Sequence, residues 1–371
     1  EIPNDKLKNI GMTSFGLSDT ESQIVLASYV KTSKEDDEMK KMQEAFVLDA
    51  CIWPESGHFE GMTEDYKNSA LDACFLTADG NSFRDGVSSV SKTHVLTLNT
   101  SENMKIARSY EDLLENKKNG VKSLIMYFQD PAPIENKIEF AYAFYDLGIR
   151  VVQMSYNKGG FVGGGCIEGA DYGLTDFGKE LLKHFNKMGM LVDLSHCGPK
   201  VVADVLKNTD KPVSMGHTCC KAIADNPRNK TDEQLKALKE VGGVVGITPW
   251  APICWKRKEN VPPTIDDYLD HVCHAVDLIG IDHVGFASDN NLDHNKDFEG
   301  ISSQGALYDM VVGGYNKNVG TNPAERHAIG FTGALDTQNL VDKMRERGFH
   351  DDEIKKFLGG NFLNLIKNVW R

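Results

Sequence analysis

RVVQMS at 150–155 and MLVDL at 190–194 are short apolar runs. Between them TDFGKELLKHFNKMG, at 175–189, puts Phe177, Leu181, Phe185 and Met188 on one stripe. Apolar runs without strict alternation suit strands buried on both faces, which is the condition of parallel strands. A stripe with the helical period suits an amphipathic helix, and Thr175 is placed to cap its first turn. Strand, helix and strand in that order make the unit from which parallel sheets are built.

The same alternation extends in both directions. Strands are expected at 45–52 (AFVLDACI), 93–98 (THVLTL), 122–128 (KSLIMYF) and 150–155, then at 190–194, 212–216 (PVSMG), 243–248 (GVVGIT) and 283–288 (HVGFAS). A second clear helix is expected at 264–279, with Ile265, Tyr268, Val272, Ala275 and Ile279 on one face, Thr264 as its cap and Gly280 as its stop. Eight strands alternating with helices predict an α/β chain closed as a (β/α)8 TIM barrel. An open doubly wound sheet is the main rival, but no G-x-G-x-x-G follows the first strand. Residues 1–44 are polar, with a charge cluster at Lys34–Lys41, and read as an N-terminal extension packed on a barrel of residues 45–371. Residues 336–358 read as two last helices before the tail GGNFLNLIKNVW.

Composition narrows the partners. The 371 residues are 40% hydrophobic and 26% charged, with a net charge of −13, so a large core is available and a phosphate backbone is repelled. No apolar run approaches the ~20 residues of a spanning helix. The chain begins at Glu1 rather than Met, which reads as a processed or trimmed start. No signal pattern stands there, and cytoplasm and periplasm both stay open. The eight cysteines form no compact framework and no C-x-x-C, so they read mostly as reduced, buried small residues.

In a barrel of this kind chemistry collects at the C-terminal strand ends. Those positions hold Asp49 and Cys51, Gln129, Tyr156, His196, His217, Trp250 and Asp289. A single histidine after a strand is usually a satisfied polar group. Two histidines and an aspartate on the fifth, sixth and eighth strands would converge, and neutral imidazole and carboxylate are ligands that Zn2+ prefers. Arg228 in NPRNKTDE reads as a clamp for a carboxylate or as a surface residue. The run GGFVGGGC (159–166) reads as a mobile or closely approached loop, carrying Cys166.

These stretches also carry a resemblance. YDLGIRVVQMSYN, GLTDFGKELLKHFNKMGMLVDLSH, NPRNKTDEQLKAL, GGVVGIT, GIDHVGFASD and GGNFLNLI resemble, in order, blocks of the renal (membrane) dipeptidase family, peptidase family M19. The resemblance implies an amidohydrolase-type, metal-dependent hydrolase barrel. By position, His196 and His217 match the two histidines that hold one family metal, Asp289 the aspartate of the other, and Arg228 the arginine that binds a substrate carboxylate. The departures are equally specific. Cys51 and Trp53 stand in place of the family's His-x-Asp, Gln129 in place of the bridging Glu, and Tyr156 in place of a substrate-contacting His.

With so few carboxylates left, one divalent ion is expected rather than two, Zn being the natural candidate. It would be bound by His196, His217 and Asp289, with Cys51, Cys166 or Gln129 as further ligands, and no organic cofactor is implied. The first reading is a hydrolase of a small amino-acid-derived substrate, cleaving an amide or related C–N bond. Asp289 and Tyr156 would be catalytic, and Arg228, Tyr156, Gln129 and Trp250 would bind substrate. The alternative is a lyase, hydratase or isomerase using Tyr156 and Asp289, acting on a methylated amine held by Trp53, Trp250, Trp255 and Tyr156. A further alternative is a non-catalytic binder of small molecules. The resemblance also implies a homodimer.

Overall fold

The structure, a computed structural model, describes residues 45–54, 59–100, 102–257, 260–290, 309–320 and 326–371. The extension expected over 1–44 lies outside these residues, and the account that follows concerns the unit Phe46–Arg371.

Among the described residues nine strands form one parallel sheet: β1 (Leu48–Ile52), β2 (Ala73–Thr77), β3 (Met104–Ile106), β4 (Lys122–Phe128), β5 (Ile149–Gln153), β6 (Leu191–Asp193), β7 (Ser214–Thr218), β8 (Val244–Ile247) and β9 (Val284–Phe286). Eight of them run in the order β1-β2-β4-β5-β6-β7-β8-β9, and the short β3 pairs outside that path with β4. The ends meet through a parallel bridge between Ile52 and Asn290, with the Asp289 amide on the Cys51 carbonyl at 3.0 Å. This is the expected (β/α)8 barrel.

One expected strand is corrected. THVLTL at 93–98 is the end of the helix Phe83–Asn99, and the second barrel strand is ACFLT, Ala73–Thr77. Val90, Thr93 and Leu96 are buried at three-residue spacing, so these three side chains lie on one helical face. The helices Asp176–Met188 and Ile265–Ile279 form as expected. Thr175 and Thr264 accept the amides of Gly178 and Asp267, and Gly280 ends the second helix.

The tail is also corrected. After the helices Thr337–Glu346 and Asp351–Lys355, residues Asn361–Val369 form a third helix. Its Phe362, Leu365, Ile366 and Val369 join Leu48, Ala73, Leu191 and Val244 in one core cluster. Those four begin β1, β2, β6 and β8, so the helix closes the N-terminal end of the barrel. A Cβ at Gly285 would stand 2.7 Å from the Phe362 ring, so the strand is bare where the aromatic side chain presses on it. The opposite end, where the strands finish, is left for chemistry.

Candidate active site at the barrel mouth

β6 and β7 share one backbone pair, Asp193 with Ser214. The Asp193 carboxylate reinforces this thin place. One oxygen accepts the Tyr127 hydroxyl at 3.0 Å and the Ser195 amide at 2.9 Å. The other accepts the Ser214 hydroxyl at 2.7 Å and the Gly216 amide. The Ser195 hydroxyl in turn accepts the His217 amide at 3.0 Å. Four donors on a buried carboxylate satisfy its charge and fix the two strand ends that carry the histidines.

His196 and His217 meet at those ends, their Nε2 atoms 2.9 Å apart. His196 Nδ1 donates to Asn157 Oδ1 at 2.7 Å, which puts its lone pair at Nε2, facing His217. Buried His217 Nδ1 has no hydrogen-bond partner among the described residues. Burial, then the charge of Arg228, pushes both imidazoles well below the ordinary histidine range, so they are neutral, the form that binds metals. Tyr156 stacks on His196 with ring centres 4.2 Å apart. Cys166 also donates to Asn157 Oδ1, at 3.6 Å, the same oxygen that orients His196.

The opposite side of the mouth is built from β1 and β9. Cys51 Sγ lies 3.6 Å from Asp289 Oδ1, and Gln129 Nε2 donates to that sulfur at 3.0 Å and to the Thr77 hydroxyl at 3.1 Å. Ligand atoms of Cys51, His217 and Asp289 lie within 4.8 Å of one another. His196 reaches this group through His217. Desolvation raises the Asp289 carboxyl, with Arg228 opposing, and raises the Cys51 thiol further above its ordinary range. Asp289 itself has φ +53°, a conformation that non-glycine residues adopt at a cost and that recurs at functional sites.

Arg228 is 1% exposed. Two of its N–H groups go to the Ser195 and His217 carbonyls, the second at 3.0 Å, so it braces the histidine-bearing turns. Trp250 caps the short helix Ala251–Cys254 and bridges to His327. Trp53 donates through its indole to the Asp289 carbonyl at 3.2 Å. Trp255 packs edge-on against Tyr315 and donates to the Val261 carbonyl at 2.9 Å, a packing role for that ring. The glycine loop is pinned by bridges from Gly163 to Leu174 and from Gly165 to Cys197. A Cβ at Gly165 would run into the Tyr156 and Asn157 carbonyls.

Strand-end counting misses two residues here. Asn157 sits one place past Tyr156, and an amide after a strand carries no signal of its own. His327, 3.4 Å from the Asp289 carbonyl, comes from a segment after the eighth strand. Asp49, a strand-end position of the sequence, lies buried in β1. Its Oδ1 takes the Cys51 and Ser288 amides at 3.1 and 2.8 Å, its Oδ2 has no partner among the described residues, and burial raises its pKa to about 7.

A ring of parallel strands thus gathers two imidazoles, a carboxylate and a thiol at its C-terminal mouth. The structure is similar to that of an amidohydrolase from Pseudomonas aeruginosa, with a TM-score of 0.77 and 27% identity over 90% of this chain and 99% of that one. It also resembles the probable dipeptidase PvdM of the same organism, with a TM-score of 0.75 and 15% identity over 90% and 98%. The sequence profile of the family described as Membrane dipeptidase (Peptidase family M19) matches residues 23–312, and the chain belongs to that family. It is 25% identical over 273 residues to the dipeptidase tcpJ of Claviceps purpurea, covering 72% of this chain and 56% of that protein. The chain thus spans little more than half the length of that relative. Among the described residues no helix is long and apolar enough to cross a membrane.

Proposed function

We propose that the chain is a hydrolase of small amino-acid-derived substrates, cleaving an amide or related C–N bond with one divalent cation at the barrel mouth. The observation that carries the reading is the meeting of His196 and His217 at 2.9 Å beside the Cys51, His217 and Asp289 group. The donor set fits a metal: both imidazoles are neutral, and the buried His217 ring has a nitrogen without a partner. His196, His217 and Asp289 would hold the ion, with Cys51 adjacent and Zn2+ the natural occupant. A divalent ion there would supply Lewis acidity and lower the pKa of bound water towards ~7. One ion suits the site better than two, because Asp289 is the single carboxylate in the group and Gln129 brings no charge.

Asp289 takes the proton of the attacking water. The Tyr156 hydroxyl donates to the oxygen that gains charge in the tetrahedral intermediate, and the remaining Arg228 N–H groups hold a carboxylate of the substrate. The test combines metal analysis with a panel of dipeptides and N-acyl amino acids. The expected result is about one cation per chain and hydrolysis that chelation abolishes. Asp289→Asn should lower kcat/KM by ~10²–10⁴, and Tyr156→Phe by ~10²–10³, mainly in kcat. Protein without stoichiometric metal, or turnover without net addition of water, would overturn the reading; the second outcome favours a lyase, hydratase or isomerase.

A further inference from the structure

A second cation accompanies Arg228. Lys230 is 2% exposed, and its amine donates to the Cys197 carbonyl at 3.1 Å. Arg228 donates to the Ser195 and His217 carbonyls, so the two side chains reach the residues on either side of His196. Asn229, between them, turns elsewhere: its amide donates to the Ala224 and Ile253 carbonyls at 2.7 and 2.8 Å. The backbone fixes this arrangement. Lys230 gives its amide to the Cys219 carbonyl at 3.0 Å and accepts the Lys221 amide at 2.8 Å, which stitches the segment to the end of β7.

Among the described residues neither Arg228 nor Lys230 forms an ion pair, and the acceptors of both are neutral carbonyls. The Asp193 carboxylate at the end of β6 is already taken by four donors. A buried cation without an opposite charge is costly. Burial brings the pKa of the Lys230 amine down to about 8, so it is still protonated at neutral pH. After burial itself, both cations disfavour protonation of His196 and His217, so their field reaches the mouth. An ammonium has several N–H groups, and those that Cys197 does not take have no partner among the described residues. A neutral donor would serve the Cys197 carbonyl equally well, so the fold gives no reason for the charge.

We infer that Lys230 is a specificity residue of the mouth, and that with Arg228 it selects substrates carrying two acidic groups, such as dipeptides or N-acyl derivatives of aspartate or glutamate. The inference takes its reaction from the proposed hydrolase, while the binding it describes stands apart from turnover. The planar fork of Arg228 takes the α-carboxylate, and the compact charge of Lys230 takes the side-chain carboxylate. The second carboxylate supplies the opposite charge that this wall lacks. A ligand with a neutral side chain leaves Lys230 uncompensated and is rejected for that reason.

The test uses the full chain with Asp289→Asn, so that bound ligand is not consumed and the result does not depend on turnover. Isothermal titration compares N-acetylglutamate with N-acetylglutamine. The acid should bind ~10–100-fold more tightly than the amide. Adding Lys230→Met or Lys230→Gln should abolish that preference by weakening the acid. The glutamine variant keeps a donor for the Cys197 carbonyl, so it separates lost charge from lost structure and decides the matter if the methionine variant does not fold. No measurable binding of the acid, equal affinity for acid and amide in the parent, or a preference that survives the loss of the Lys230 charge would overturn the proposal. A charge-dependent preference without turnover by the unsubstituted chain would support it and sink the hydrolase reading instead.

Discussion

Asn157 shows how a neutral side chain controls a charged site. Its Oδ1 accepts His196 Nδ1–H at 2.7 Å, so the tautomer of His196 depends on it. Asn157→Ala should leave the fold intact and weaken cation binding by roughly 10–100-fold; competition with a chelator measures it, and unchanged affinity would remove Asn157 from the site. The replacements on β1 and β4 can be tested in the other direction. Cys51→His, Trp53→Asp and Gln129→Glu together supply the ligands that the family pattern has there, and should raise the metal content from about one to about two ions per chain. Much of this mouth was legible in the sequence, because His196, His217 and Asp289 each follow a strongly apolar run and the barrel brings such positions together. The pairing of Cys51 with Gln129 and Asp289 was not. It depends on the register between strands far apart in the chain, and local pattern does not encode that distance.

Among the elements, the helix Ile265–Ile279 was the easiest to read and the strand Ala73–Thr77 the hardest. The helix announces itself with a Thr264–Asp267 capping box, a regular apolar face and a glycine stop. ACFLT is only five residues long, while THVLTL nearby has the composition of a strand and the spacing of a helical face. Composition alone favours the wrong one. The capping box also makes the helix sensitive to acid. Burial raises Asp267, but the Thr264 hydrogen bonds and the Lys256 ion pair outweigh it and leave the carboxyl below its ordinary range. A depressed folded pKa contributes stability above the ordinary carboxylate pKa, and that contribution is lost as the pH falls through the folded value. Asp267→Asn should therefore flatten the acid limb of Tm against pH, and an unchanged limb would show that the box does not matter. Thr264→Ala, which loses the cap at every pH, should cost about 1 kcal/mol in chemical denaturation.

For the whole molecule, the closed barrel followed from a count of strands, but the helix that plugs its N-terminal end did not. The C-terminal stretch read as a tail because it is short and follows two glycines. As a helix it lays Phe362 against Phe75 with ring centres 5.8 Å apart, and Asn361 ties its first turn to the Ile281 and Val284 carbonyls at 2.6 and 2.7 Å. Phe362→Ala should cost about 3–5 kcal/mol, seen as a lower denaturant midpoint with the same slope. A loss below about 1 kcal/mol would mean that the plug bears little of the stability. The Ile52–Asn290 bridge has a different bearing. Cys51 and Asp289 are the neighbours of its two residues, and they come from opposite ends of the folded ring. A chain that frays at this join would lose one half of its reactive surface from the other while most of the barrel stays wound. Partial unlatching would then silence the protein well before heat or denaturant melts it.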